Sequence, residues 1–191
     1  MVVEAVSDYS ALPDDLPAPE DDGAADHLPG MRMPELVLTA TDARAINLAA
    51  HPGTTILYLY PMTGVPDVPL PEGWDLIPGA RGCTPESCGF RDHFAELQAA
   101  GATAVFGLSS QTSEYQREAV GRLHLPFAML SDPQFQLAEA LRLPTFEAVG
   151  VRLYRRLTLV IRDGHIEHVF YPVFPPNEHA AVVLDWLAAR A

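Results

Sequence analysis

Cys83 and Cys88 are the only two cysteines in a chain of 191 residues. They lie in Arg81-Gly82-Cys83-Thr84-Pro85-Glu86-Ser87-Cys88-Gly89-Phe90-Arg91-Asp92, which reads as the start of a helix. Thr84 suits the N-cap, Pro85 the first helical position where no N–H is needed, and Glu86 the positive end of the helix dipole. Cys83 then stands at a helix N-terminus, where unpaired N–H groups and the dipole lower a thiol pKa and favour the nucleophilic thiolate. Five steps along an α-helix separate the two Cα atoms by about 7.5 Å, beyond the ~7 Å that a disulfide tolerates. The sulfurs can bond only if the first turn unwinds. That suits a cycle in which Cys83 is oxidised first and Cys88 then attacks it.

Other chemistries fit the residues poorly. A zinc site needs two further ligands beside the thiols, and the seven His are scattered, with His165 and His168 on opposite faces of an expected strand. Phosphate-cradling loops and a Gly-x-Ser-x-Gly elbow are missing, and so is a Cys-x-x-Cys pair. No metal or organic cofactor is expected.

The stretch from Gly82 to Asp92 resembles the active-site segment of the peroxiredoxins, and the gap between its cysteines is similar to that of the bacterioferritin-comigratory-protein, or Q-type, subfamily. The resemblance continues through Val105-Phe106-Gly107-Leu108-Ser109, Leu125-Pro126-Phe127, Leu130-Ser131-Asp132 and Arg156-Leu157-Thr158-Leu159-Val160-Ile161. It runs from about Met33 to the C-terminus. It implies a thiol peroxidase: Cys83 attacks hydrogen peroxide or an organic hydroperoxide and becomes a sulfenic acid, Cys88 condenses with it to a disulfide, and a thioredoxin-like protein restores the thiols. A monomer, or at most a weak homodimer, is expected. Two alternatives use the same pair: a thiol–disulfide oxidoreductase indifferent to peroxide, and a sensor that relays oxidation to a protein partner.

The family pattern has a Pro seven residues before the reactive Cys and a Thr or Ser three before it, whereas these positions are Leu76 and Ala80 here. An insertion accounts for the departure, leaving Pro61 and Thr63 at the end of a strand. Thr63 would then hydrogen-bond the thiolate and the peroxide; the competing reading is an ordinary turn threonine. Attack on a peroxide also needs a cation for the departing oxygen. The residues alone leave Arg152, Arg155 and Arg156 equal. The resemblance selects Arg156, with Arg155 as the alternative because neighbouring strand residues face opposite ways.

The elements that position these groups follow from periodicity. Leu36-Val37-Leu38 and Ile46-Asn47-Leu48 read as short strands, and Thr54 to Tyr60 as a buried strand ending at Pro61. Residues 62–80 are rich in Pro and Gly and form an ordered loop, with Trp74, Leu76 and Ile77 pinning it beside Cys83. The Cys83 helix buries Phe90, Phe94 and Leu97 and runs to about Ala100-Gly101. Ala102 to Leu108 is a strand, Ser113 to Leu123 a helix with Tyr115 inward, and Phe127 to Leu130 a strand. A helix from Pro133 to about Arg142 is capped by Asp132. Arg156 to Ile161 and Ile166 to Tyr171 pair through the turn signal Asp163-Gly164, and Asn177 to Ala189 is the last helix. The fold class is α/β: a thioredoxin-like fold, with a central mixed sheet flanked by helices on both faces.

Length is that of one domain. Residues 1–30 hold eight Asp or Glu and no Arg, and read as a flexible acidic extension ahead of a domain spanning 31–191. The net charge of −13 and the absence of Lys argue against nucleic acid and anionic membrane as partners. Apolar runs are strand-sized, the N-terminus lacks signal-peptide blocks, and two cysteines are too few for a disulfide scaffold, so the cytoplasm is the expected compartment.

Overall fold

The computed structural model describes residues 9–190. The first eight residues of the expected acidic extension lie outside that range. The strands are β1 (Val37–Ala40), β2 (Ala45–Asn47), β3 (Thr54–Leu59), β4 (Ala102–Ser109), β5 (Met129–Ser131), β6 (Thr145–Ala148), β7 (Val151–Tyr154), β8 (Leu157–Arg162) and β9 (His165–Phe170). All but β6 and β7 join one mixed sheet in the order β2-β1-β5-β4-β3-β8-β9. Every residue of β3 is buried, because it pairs in parallel with β4, antiparallel with β8, and is covered on both faces. Alternation along it sorts the core. Leu57 and Leu59 face one side with Phe106 and Leu159, while Ile56 and Tyr58 face the other with Val105 and Val160.

Helices cover both faces of this sheet. The helix α1 (Cys83–Asp92) with α2 (Phe94–Ala99), α3 (Ser113–Arg122) and α5 (His179–Ala188) bury Phe90, Leu97, Val120 and Val183 on the Tyr58 side. The short α4 (Gln136–Leu141) buries Leu137 and Leu141 on the Leu57 side. The thioredoxin-like α/β architecture expected from the sequence is therefore present.

Several local expectations need correction. The long helix after Cys83 is two, broken at His93, whose backbone (φ −97°, ψ 8°) ends α1 and starts α2. The helix after Pro133 is shorter than expected, because Phe135 takes a left-handed conformation (φ 56°) and the helix begins only at Gln136. Asp132 still serves its N-terminus: its carboxylate accepts from the N–H groups of Gln136 (2.9 Å) and Leu137 (2.8 Å) and from the Tyr154 hydroxyl (2.6 Å). The β6–β7 hairpin was not anticipated. Tyr115 is partly exposed, not inward.

Residues 9–30 lie against the domain and do not stand off as a tail. Leu28 and Ala25 enter the core on the Leu57 side, the Tyr171 hydroxyl donates to Asp22 (2.9 Å), and the acidic side chains stay at the surface. Alternating apolar and acidic residues permit both.

Asp132, 2% exposed and accepting three hydrogen bonds, joins α4 to β7. Asp132→Ala leaves two N–H groups unpaired and the buried Tyr154 hydroxyl without an acceptor, and should lower stability by about 2–4 kcal/mol. Urea unfolding checks this, and a loss under ~0.5 kcal/mol would remove the cap from the account of the fold.

Candidate active site

Pro61 to Thr63 follow β3, and α1 starts where the inserted loop returns. Its cap is Gly82, one residue before the thiol, and not Thr84, which lies inside the helix. Gly82 is left-handed (φ 110°), and a Cβ there would fall 2.3 Å from Pro176 Cγ, so only glycine permits this close approach. Cys83 is the first residue of α1 and 4% exposed.

Arg156 fills the space beside the thiol. It is 3% exposed, and its Nη2 lies 3.2 Å from Cys83 Sγ. The same guanidinium donates to the carbonyls of Gly79 (3.3 Å), Ala80 (3.2 Å) and Arg81 (3.3 Å) and forms an ion pair with Glu86. Arg155 turns the other way, onto the ring of Phe146, and Arg152 pairs with Glu139. Among the three arginines left equal by the sequence, Arg156 is the one at the sulfur.

Glu86, expected as an anion at the helix start, does more than meet the dipole. It is fully buried, because three residues along a helix places it on the same face as Cys83, toward Arg156. Burial pushes its carboxyl up from 4.5 to about 7, against the opposing charge of Arg156, and its Oε1 has no hydrogen-bond partner among the described residues. The Cys83 thiol is likewise pushed up by burial. Arg156 and the Met62 N–H pull it down, while the Glu86 charge raises it. The lowered thiol pKa expected from the helix terminus is thus outweighed by desolvation in this closed site.

Thr63 is buried, yet its hydroxyl is not aimed at the thiol. It donates to Gln111 Oε1 (3.3 Å), which also accepts the Thr63 N–H (3.0 Å), while Gln111 Nε2 donates to the Thr63 carbonyl (3.3 Å). Tyr115 adds a bond to that carbonyl (2.9 Å), and Arg122 one to the Gly64 carbonyl (3.1 Å). The 62–64 segment is thereby fastened to the α3 region, and the group it offers Cys83 is the Met62 N–H.

Cys88 is a free, half-buried thiol on the same helix. Burial pushes it up and the nearby Arg91 charge pulls it down. The middle of α1 is held against the sheet. The Tyr58 hydroxyl donates to Ser87 Oγ (3.0 Å), and the Tyr58 and Phe90 rings stack at 4.4 Å. Behind Arg156, Thr158 Oγ1 and His179 Nε2 are 2.7 Å apart, and burial together with the arginine charge pushes that imidazole down to about 3.

The inserted loop joins Trp74 (3% exposed) to Ala80, Ala148 and Leu153 in a cluster of its own, with Ile77 packed against it. Leu76, expected to pin the loop, is 79% exposed. Tyr9 and Arg81, which border the same cavity as Cys83, were not anticipated.

A buried thiol at a helix N-terminus beside an arginine, on a thioredoxin-like sheet, defines a thiol redox centre. Residues 28–184 match the Redoxin family. The chain is 31% identical to Peroxiredoxin Bcp of Escherichia coli (strain K12) over 163 residues, covering 83% of this chain and 94% of that protein. It is 26% identical to the chloroplastic Peroxiredoxin Q of Oryza sativa subsp. japonica, over 83% of this chain and 65% of that one. Among solved structures, peroxidoxin BcpB of Mycobacterium tuberculosis superposes with a TM-score of 0.68 at 24% identity, covering 86% of this chain and 99% of that one. The chain belongs to the redoxin family and, within it, to the Q-type (Bcp) peroxiredoxins.

Because the folded carboxyl of Glu86 sits near 7 and its ordinary value is 4.5, the folded protein holds a proton there that the unfolded chain releases. The stability this supplies is full below pH 4.5 and is lost as pH rises through about 7. Glu86→Gln imitates the neutral form. Between about pH 5 and 7.5 the native protein should lose on the order of 2–3 kcal/mol relative to this variant, read from urea midpoints. Parallel profiles would mean that Glu86 stays charged throughout.

Proposed function

We propose that this peroxiredoxin reduces hydroperoxides through Cys83 and closes each turnover with an intramolecular disulfide to Cys88. The Cys83 thiolate attacks the terminal peroxide oxygen. The O–O bond breaks, an S–O bond forms, and the departing oxygen takes a proton to leave as water or an alcohol. Cys83 becomes a sulfenic acid. Cys88 then displaces its hydroxyl, forming the S–S bond and releasing water, and an external dithiol protein of the thioredoxin type accepts the disulfide and returns both thiols.

The carrying observation is the Arg156 guanidinium at 3.2 Å from Cys83 Sγ in a site closed to bulk water. A fixed cation beside the sulfur stabilises the thiolate and the charge that develops on the departing oxygen. Thr63 acts in this scheme as a positioning residue, because its hydrogen bonds to Gln111 fix the segment whose Met62 N–H meets the sulfur. The low exposure of Cys83 favours a small oxidant over a protein disulfide as the first reactant, which speaks against a general disulfide oxidoreductase.

One equivalent of hydrogen peroxide added to the reduced protein should oxidise Cys83 far faster than a free thiol and yield a Cys83–Cys88 disulfide, followed by peptide mass mapping. Cys83→Ser should abolish turnover. Cys88→Ser should complete one turnover and stop at the sulfenic acid. Undiminished steady-state activity in the Cys83 variant would refute the scheme.

A further inference from the structure

The approach to Cys83 has two compartments. The inner one, about 10 Å³, lies directly over Cys83 and is walled by Tyr9, Met62, Leu70, Trp74 and Arg81. It has room for roughly one molecule the size of water. The outer one is a groove of about 490 Å³ along the inserted loop, bordered by Pro69, Pro71 and Leu76. That is the size of a small-molecule site. Tyr9, Leu70, Trp74 and Arg81 belong to both, so they form the partition between them.

Three of these four walls are fixed. Trp74 is buried against Phe146, Leu70 packs on the same cluster, and Arg81 is paired with Asp75 at 3.0 Å. Tyr9 is different. It comes from a segment with no regular secondary structure through residue 22, and its ties are a hydroxyl bond to the Val68 carbonyl and the Arg81 guanidinium 5.1 Å from its ring centre. The loop is shaped to receive that ring: a Cβ at Gly64 would fall 2.7 Å from it. The glycine leaves the space that the tyrosine occupies.

We propose that Tyr9 is a specificity-determining residue: its ring is a size gate between the inner chamber and the outer groove. Hydrogen peroxide, the smallest peroxide, reaches Cys83 with only a slight displacement of the ring. An uncharged alkyl or aryl hydroperoxide lodges its body in the outer groove and reaches Cys83 only when Tyr9 swings out. The groove suits such a body, because Leu76 (79% exposed) with Pro69, Leu70 and Pro71 presents apolar surface there and the Arg81–Asp75 pair leaves no net charge. This inference rests on the peroxidase reading and adds to it the residue that sorts the substrates.

The test compares Cys83 oxidation rates for cumene hydroperoxide and hydrogen peroxide in the native protein, Tyr9→Ala and Tyr9→Phe. Removing the ring in Tyr9→Ala should raise the cumene-to-hydrogen-peroxide ratio roughly tenfold or more, while Tyr9→Phe, which keeps the ring, should stay within about threefold of native. A second readout needs no peroxide. In a Cys88→Ser background, alkylation of Cys83 by a bulky maleimide relative to iodoacetamide should rise with Tyr9→Ala in the same way. Unchanged ratios in both assays would overturn the gate. A native protein that failed to react with peroxide would overturn the peroxidase reading alone, because alkylation would still decide whether Tyr9 bars the entrance.

Discussion

A guanidinium that is almost wholly buried must find partners for its N–H groups or forfeit much of the stability that folding brings. Arg156 finds them along one stretch of eight residues: the 79–81 carbonyls where the 62–80 loop returns, the Cys83 sulfur at the start of α1, and the Glu86 carboxyl one turn further on. One side chain therefore sets where the loop ends, which face of α1 turns inward, and what charge the sulfur meets. The surrounding structure serves to hold that cation still. Buried β8 follows it directly in the chain, and α5 closes behind it with His179, whose neutral imidazole spares the site a second positive charge.

The same contact gives the proposed cycle a physical sequence. In the proposed scheme the attacking thiolate is held by the charge of Arg156, whereas the sulfenic acid that replaces it is neutral, so that oxidation would weaken the tie at the first turn of α1. The following turns are held differently, by the Tyr58–Ser87 hydrogen bond and the Phe90 stack, which no change at the sulfur touches. In the proposed scheme the helix therefore loosens at the end that carries Cys83 while the end that carries Cys88 is retained.

Local pattern made much of this legible. A run of β-branched and aromatic residues marked β3, Asp163-Gly164 marked the β8–β9 hairpin, and Cys83 with Cys88 marked the chemistry. What stayed hidden depends on distant partners or on backbone shape. Thr84-Pro85 looks like a cap and first turn, but Gly82 holds that place because Pro176, far along the chain, leaves no room for a side chain. Glu86 reads as an anion for the helix dipole until Arg156, seventy residues on, is found against it. Spacing gave one clue, since it shares the Cys83 face. Nothing local marks the break at His93, which lacks a Gly or Pro, and no pattern in an acidic N-terminal stretch reveals that Tyr9 reaches Val68, fifty-nine residues away.

The inserted stretch is clamped at both ends by side chains that are not part of it. Gln111 grips Thr63 at one end and Arg156 grips the 79–81 carbonyls at the other. What lies between is mechanically insulated from the sulfur. The entropy of closing such a loop grows only with the logarithm of its length, so doubling it costs about 0.6 kcal/mol. Outside the buried Trp74 and the residues packed on it, the segment is thus a cassette: its length and exposed side chains can change while the two clamps keep the reacting atoms in place, so that such changes remodel what the site admits rather than how it reacts.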